Sequence, residues 1–135
     1  EPDNIALQDI RRGCSILTAL GPTDVGQSIV IQDNIVIAIE AVEGTDAMIQ
    51  RSGPLHREGP GGVLVKLPKP GQEKRADLPT IGPQTVENAD KAGIRGIAIH
   101  ASDTLFVDRE QTIALADLLG LFIFSFDPDK WLEIA

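Results

Sequence analysis

Several features are scarce in this sequence, and each absence excludes a class of protein. The 135 residues contain one cysteine, Cys14, so no intramolecular disulfide can form and a reducing, cytoplasmic location is expected. No apolar run approaches membrane-spanning length, and no signal peptide is recognisable. The formal net charge of -8 argues against a nucleic-acid-binding surface, which is basic. The chain begins with Glu1 rather than Met, which indicates a fragment or a trimmed chain.

Common catalytic and cofactor motifs are missing as well. No cluster of cysteine and histidine has the spacing of a zinc site, and no serine lies in a nucleophile elbow. The Walker-type loop Gly-x-x-x-x-Gly-Lys-Ser/Thr is absent, and no Gly-x-Gly-x-x-Gly follows a strand. The hydrophobic fraction, 42%, is near the globular norm, and the length is sufficient for a buried core. We therefore expect one compact domain over residues 1–135.

Residue periodicity predicts an α/β fold, a mixed β-sheet with flanking helices. Thr45 is expected to cap the second helix, and Asp108 to form a capping box with Gln111 at the fourth. The residues from 67 to 81 form a long loop rich in proline, glycine and charge, and such loops are usually functional or disordered. Helices are predicted at about 4–20 and 46–50, from Gly82-Pro83 to Gly93, and after Asp108. The predicted strands are 28–32, 35–40 (joined to the first by an Asp33-Asn34 turn), 62–66, 94–99, 105–107 and 121–126.

Three carboxylates lie close together where a strand gives way to a helix. Glu40, Glu43 and Asp46 fall within seven residues, around a glycine. Mg²⁺ prefers oxygen ligands and keeps several waters, so one or two of these side chains are sufficient to bind it. The alternative is that Glu43 and Asp46 stabilise a helix N-terminus through its dipole. Spacing alone favours this structural role.

A basic segment stands out in this acidic chain and could focus an anionic ligand. Within it, Gly61-Gly62 allows a close backbone approach, and Lys66 and Lys69 supply point charges for phosphate. The alternative is a strand that ends in a turn with solvated lysines. Six of the twelve lysine and arginine residues belong to the segment: Arg51, Arg57, Lys66, Lys69, Lys74 and Arg75.

The stretch from Arg75 to Pro83 leads directly into a helix N-terminus at Gly82. Exposed backbone N–H groups and the helix dipole favour an anion there. A carboxylate beside a phosphate is repelled unless a metal lies between them or the carboxylate handles a proton. Asp77 is therefore a candidate metal ligand or general base. Its alternative role is to pair with Arg75 or to hold the loop.

These strings together resemble one family, the LpxI-type UDP-2,3-diacylglucosamine pyrophosphatases. The resemblance runs from about Leu17 to Leu121, most of the chain, and several ordered motifs are more specific than any single one. The chain departs from the family pattern at His100-Ala101-Ser102, where an acidic residue followed by Ala-Gly is usual, and at Glu73, where Asp is usual. The matching strings are Glu40–Met48, Gly61–Lys66, Lys69–Gln72, Asp77–Pro83, Thr85-Val86, Ala92-Gly93, Gly96–Ala98, Asp108-Arg109 and Ala116-Asp117.

The resemblance implies Mg²⁺-dependent hydrolysis of UDP-2,3-diacylglucosamine to lipid X and UMP, in lipid A biosynthesis. It implies that this chain is the C-terminal hydrolase domain and that an N-terminal domain of similar length is its partner. Peripheral membrane contact, a location at the inner face of the inner membrane and a homodimer are further expectations. Asp77 is carried over as the essential catalytic residue. The other residues carried over are Glu40, Glu43, Asp46 and Asp77 for the metal, and Lys66, Lys69, Gln72, Arg75, Thr80 and Gly82 for the diphosphate.

Two other functions are compatible with these residues. One is a non-catalytic domain that binds a nucleotide or a lipid phosphate, and the other is a metal-dependent phosphatase with another substrate. Acyl chains would need an apolar groove, for which Met48, Leu55, Phe122 and Phe124 are candidate lining residues. Cys14 is expected in the core.

Overall fold

Five of the strands form one mixed sheet, and two short ones pair separately, in a computed structural model that describes residues 2–23, 25–68 and 78–129. The helices are α1 (Asn4–Leu20), α2 (Thr45–Ser52), α3 (Pro83–Lys91) and α4 (Arg109–Leu119). The strands are β1 (Ser28–Gln32), β2 (Ile35–Ile39), β3 (Val63–Lys66), β4 (Thr80–Ile81), β5 (Gly96–His100), β6 (Leu105–Phe106) and β7 (Phe122–Phe126).

The main sheet has the strand order β2-β1-β3-β5-β7. Strand β1 is antiparallel to both of its neighbours, whereas β3, β5 and β7 are parallel to one another. The two short strands β4 and β6 pair in parallel as a separate ribbon. The predicted α/β domain with a mixed sheet is therefore confirmed.

Helices cover both faces of the main sheet. Helix α1 packs on one face over β1 and β3, and its buried side chains include Ile10 and Cys14, as expected for this cysteine. Helices α2, α3 and α4 cover the other face, where Leu64 and Ile97 of the sheet are fully buried. Gly13 lets α1 approach closely, because a Cβ there would lie 2.9 Å from Cγ2 of Val65.

The β1–β2 hairpin turns at Asp33-Asn34, as predicted. Both residues are left-handed, with φ of 53° and 66°, a conformation that Asn and Asp tolerate better than most residues. Asp9 of α1 holds this turn. Its carboxylate accepts hydrogen bonds from the backbone N–H groups of Asp33 at 3.1 Å and Asn34 at 2.7 Å.

Two helix caps differ from the prediction. The N-cap of α2 is Gly44, with φ of 87°, and Thr45 is the first helical residue, with its hydroxyl bonded elsewhere. Asp108 does precede α4, but it is left-handed and its side chain makes no cap. Instead, the buried Thr112 hydroxyl donates to the backbone carbonyls of Val107 and Asp108. The predicted Asp108–Gln111 pairing does not include this contact.

Candidate functional site

Most of the described site candidates lie at one end of the main sheet. The parallel strands β3 and β5 both end there, at Lys66 and His100, and we call this end the carboxyl edge. Ser28 begins β1 directly opposite Lys66, and Glu40 follows the last residue of β2. The opposite end, with the Asp33-Asn34 turn and the start of β5, is the amino edge. Open α/β sheets bind ligands outside the carboxyl ends of their strands.

Lys66 is a buried cation at the carboxyl edge. The residue is 5% exposed, and its Nζ donates a hydrogen bond of 2.7 Å to the backbone carbonyl of Thr80. Burial lowers the pKa of the Lys66 ammonium group, and the negative charges of Glu40 and Asp46 oppose that effect. Phosphate binding by Lys66 stays a prediction, and its hydrogen-bond partner among the described residues is Thr80 of β4.

Glu40 accepts a hydrogen bond on each of its carboxylate oxygens. Oε1 accepts from the backbone N–H of Gln27 at 2.7 Å, and Oε2 accepts from the Thr45 hydroxyl at 2.9 Å. The Thr45 hydroxyl also lies 3.0 Å from the Ser28 hydroxyl. Glu40 therefore holds the start of β1, the end of β2 and the start of α2 together. Sequence reasoning missed Ser28 and this use of Thr45.

The other two predicted carboxylates are in different settings. Oε1 of Glu43 accepts from the backbone N–H of Ala41 at 2.8 Å and from Nη2 of Arg51 at 3.3 Å. The bond from Ala41, then that from Arg51, lowers the pKa of Glu43. Asp46 is exposed in the first turn of α2, and no hydrogen bond or ion pair reaches its carboxylate from the described residues.

Asp46 is the described carboxylate that is open to a magnesium ion. Across residues 2–23, 25–68 and 78–129, no group of three His, Cys, Asp or Glu side chains is placed to hold a metal. Of the three predicted carboxylates, Glu40 and Glu43 already have partners, whereas the Asp46 carboxylate has none among residues 2–23, 25–68 and 78–129. Mg²⁺ commonly binds through one or two carboxylates together with substrate phosphates. Asp46 would supply the one carboxylate of such a site, and the remaining ligands would be waters and phosphate oxygens.

Thr80 and Gly82 lie beside the N-terminus of α3. The backbone N–H of Gly82 donates to the Thr85 hydroxyl at 3.2 Å, so it is already used. The next N–H groups, those of Gln84 and Thr85, are the orphan donors of a helix start and are suited to an anion. The remaining candidates, Lys69, Gln72, Arg75 and Asp77, lie outside the described residues, and their roles stay predictions.

A separate groove follows the outer side of β7. Its volume is about 900 Å³, and Phe122 and Phe124, two of the candidate acyl-chain residues, line it together with Phe106 and Ile113. Met48 is fully buried, so it cannot line an open groove, and that prediction is wrong. None of the described metal or diphosphate candidates lines the groove.

The fold is that of an α/β domain, the class that binds ligands at the carboxyl ends of its strands. Charged side chains and the N-terminus of α3 lie at this carboxyl edge. A family profile described as the LpxI C-terminal domain matches residues 1–124. UDP-2,3-diacylglucosamine pyrophosphatase LpxI of Caulobacter vibrioides is 44% identical in an alignment of 135 positions, which covers 96% of this chain. The chain therefore belongs to the LpxI family and corresponds to its C-terminal domain.

The chain spans 48% of the length of the Caulobacter protein, about half. Among the described helices, none combines the length and the apolar character needed to cross a lipid bilayer.

Proposed function

We propose that this protein hydrolyses the diphosphate of UDP-2,3-diacylglucosamine to UMP and lipid X in lipid A biosynthesis. The observation that carries the proposal is the 44% identity, over nearly the whole chain, to a relative named for acting on this compound. The carboxyl edge supports it, because Asp46 and the N-terminus of α3 lie on elements that meet there. Both features suit an anionic diphosphate.

The chemistry is attack by water on one phosphorus of the diphosphate. A new P–O bond forms to the water oxygen, and the bond from that phosphorus to the bridging oxygen breaks. In the proposal, Asp77 orients the water or takes its proton. The N–H groups at the start of α3 bind phosphate oxygens, and Asp46 holds Mg²⁺. The metal ion, when bound, neutralises the charge on the phosphate oxygens.

A second domain is part of the proposal, because the Caulobacter relative is about twice as long as this chain. We propose that an N-terminal domain completes substrate capture. The groove along β7 is a place for an acyl chain, since Phe122 and Phe124 line it. A cytoplasmic location at the inner membrane face, peripheral membrane contact and a homodimer stay predictions.

The test is to incubate the full-length protein with UDP-2,3-diacylglucosamine in Mg²⁺ or in EDTA and to measure UMP. We expect UMP in Mg²⁺ and none in EDTA. Tight binding without UMP release would instead favour a non-catalytic nucleotide or lipid-phosphate domain. Faster hydrolysis of an unrelated phosphate ester would favour a phosphatase with another substrate.

Asp77→Ala is the matched variant for this assay. If Asp77 acts in proton transfer, kcat should fall about a hundredfold or more. Circular dichroism and a cooperative melting transition should show that the variant is folded. Near-normal turnover in a folded Asp77→Ala protein would contradict the assignment of Asp77.

A further inference from the structure

We propose that Lys66 is a positioning residue, whose ammonium group holds the Thr80 carbonyl and thereby sets the junction of β4 and α3 against the carboxyl edge. The inference deepens the proposed hydrolysis and rests on it. It replaces direct phosphate contact as the role of Lys66. The bond in question joins Nζ of Lys66 to the carbonyl oxygen of Thr80 over 2.7 Å.

The need for such a tie follows from the topology. Strand β4 is outside the five-stranded sheet and pairs with β6, with Thr80 opposite Leu105. The backbone N–H of Leu105 donates to the carbonyl of Pro79 at 2.9 Å, so the ribbon is held internally. The Lys66 bond links this ribbon to the last residue of β3 in the main sheet.

The surroundings of Lys66 favour an internal role over a direct substrate contact. Burying an ammonium group is costly unless hydrogen bonds and opposite charges compensate. Here the Thr80 carbonyl accepts one of its three donors, and the charges of Glu40 and Asp46 act on it. Ser28 lies opposite it in register and bonds to Thr45. The side chain is thus enclosed by protein at 5% exposure.

The position of Thr80 determines how the helix meets a ligand. Gly82 and Pro83, which open α3, come directly after β4. A shift of β4 would therefore move the orphan N–H groups of Gln84 and Thr85. In the sequence, Asp77 is three residues before Thr80. A displacement of about 1 Å in catalytic geometry can reduce the rate about a hundredfold.

The experiment compares Lys66→Met, Lys66→Arg and the control Lys91→Met in the full-length protein. Methionine fills a similar volume without a donor, whereas arginine keeps the charge and the donors. Lys91 is an exposed lysine in the last turn of α3. Two readouts are taken: kcat and KM for UDP-2,3-diacylglucosamine, and hydrogen exchange of residues 78–86 without substrate.

We expect Lys66→Met to lower kcat about a hundredfold with KM changed less than about threefold. Exchange of residues 78–86 should rise at least tenfold in this variant, be partly restored in Lys66→Arg and match the wild type in Lys91→Met. If Lys66→Met fails to fold, Lys66→Arg decides. Faster exchange at 78–86 with reduced kcat in Lys66→Arg then supports the tie between Lys66 and Thr80, and wild-type values of exchange, kcat and KM in this variant contradict it.

A raised KM in either variant, with kcat and exchange unchanged, means direct substrate contact and overturns the proposal. Unchanged exchange and kinetics in a folded Lys66→Met protein overturn it as well. The exchange readout needs no substrate, so it separates this inference from the proposed function. A wild-type protein that releases no UMP refutes the function, while faster exchange in Lys66→Met still supports the tie between Lys66 and Thr80.

Discussion

The two edges of the main sheet are built from similar residue types but use them differently. At the amino edge, both carboxylate oxygens of Asp9 accept backbone N–H groups of the hairpin turn. The side chain of Gln32 there bonds the N–H and the carbonyl of Arg57, each at 2.7 Å. At the carboxyl edge, Glu40 is likewise engaged at both oxygens, but Asp46 has no partner among the described residues.

This difference indicates where a ligand can bind. A carboxylate with a hydrogen bond on each oxygen serves the backbone, and displacing those bonds costs stability. An exposed carboxylate without a partner can bind a cation at little structural cost. Asp33 at the amino edge is likewise exposed and without a described partner for its carboxylate, so what distinguishes the carboxyl edge is the buried Lys66, on which the charge of Asp46 acts.

The largest effect is expected from Asp46→Asn. If Asp46 holds Mg²⁺, the Mg²⁺ concentration for half-maximal UMP release should rise by about one to two orders of magnitude. The free energy of unfolding should change by less than about 1 kcal/mol, because Asp46 acts on the fold mainly through the helix dipole. Activity titrations against Mg²⁺ and urea unfolding measure the two quantities.

Glu43→Gln is the comparison for Asp46→Asn, since both side chains belong to the same motif. Glu43 is tied to Ala41 and Arg51, so its replacement should shift the Mg²⁺ titration much less. Equal shifts for the two variants would contradict the distinction between engaged and free carboxylates.

A smaller effect is expected from Asp9→Ala. It removes both acceptors from the N–H groups of Asp33 and Asn34, so the free energy of unfolding should fall by about 2 kcal/mol. Turnover should stay within about twofold, because Asp9 lies at the edge away from the site. Asp90→Ala, at an exposed position near the end of α3, is the control for losing an aspartate. Lost turnover in a folded Asp9→Ala protein would contradict the separation of the edges.

Thr45→Val should cost still less, about 1 kcal/mol, because it removes one hydroxyl and keeps the side-chain shape. Unlike Asp9→Ala, it should also reduce turnover, since Thr45 joins Ser28 and Glu40 at the carboxyl edge. Urea unfolding and steady-state kinetics measure both effects. A variant with lower stability and full turnover would show that this network is structural alone.

Local patterns predicted much of the fold. Helix α1 and the Asp33-Asn34 hairpin follow from periodicity and from residues that tolerate a left-handed backbone. Asp108 is the N-cap residue of α4, as predicted, but its capping box with Gln111 does not form. The Thr45 cap was wrong because contacts from distant parts of the chain engage its hydroxyl. The Thr45 hydroxyl bonds Glu40 and Ser28, five and seventeen residues away in the chain.

The candidate site was predictable in part for the same reason. Glu40, Asp46 and Lys66 could be placed near strand ends from the sequence. Their partners could not be identified, because the Gln27–Glu40 bond spans thirteen residues and the Lys66–Thr80 bond spans fourteen. Such contacts depend on strand register and on the placement of β4, which a single sequence does not reveal.

The smallest effects concern two carboxylates of α1 and its cap, whose pKa values shift in opposite directions. The hydrogen bonds from Arg95, at 2.9 Å, lower the pKa of Asp3 from 3.8 to about 2. Its contribution to stability is present above pH 3.8 and is lost as the pH falls towards about 2. Burial raises the pKa of Asp9, so its contribution to stability is full below pH 3.8 and is lost as the pH rises through the pKa of the folded state.

The melting temperature should therefore drop less steeply in Asp3→Asn than in the wild type as the pH is lowered. In Asp9→Asn it should drop more steeply than in the wild type. If the slopes of melting temperature against pH are the same in both variants as in the wild type, protonation of Asp3 and Asp9 does not affect stability. The amino edge would then hold the fold by hydrogen bonds that do not depend on ionisation.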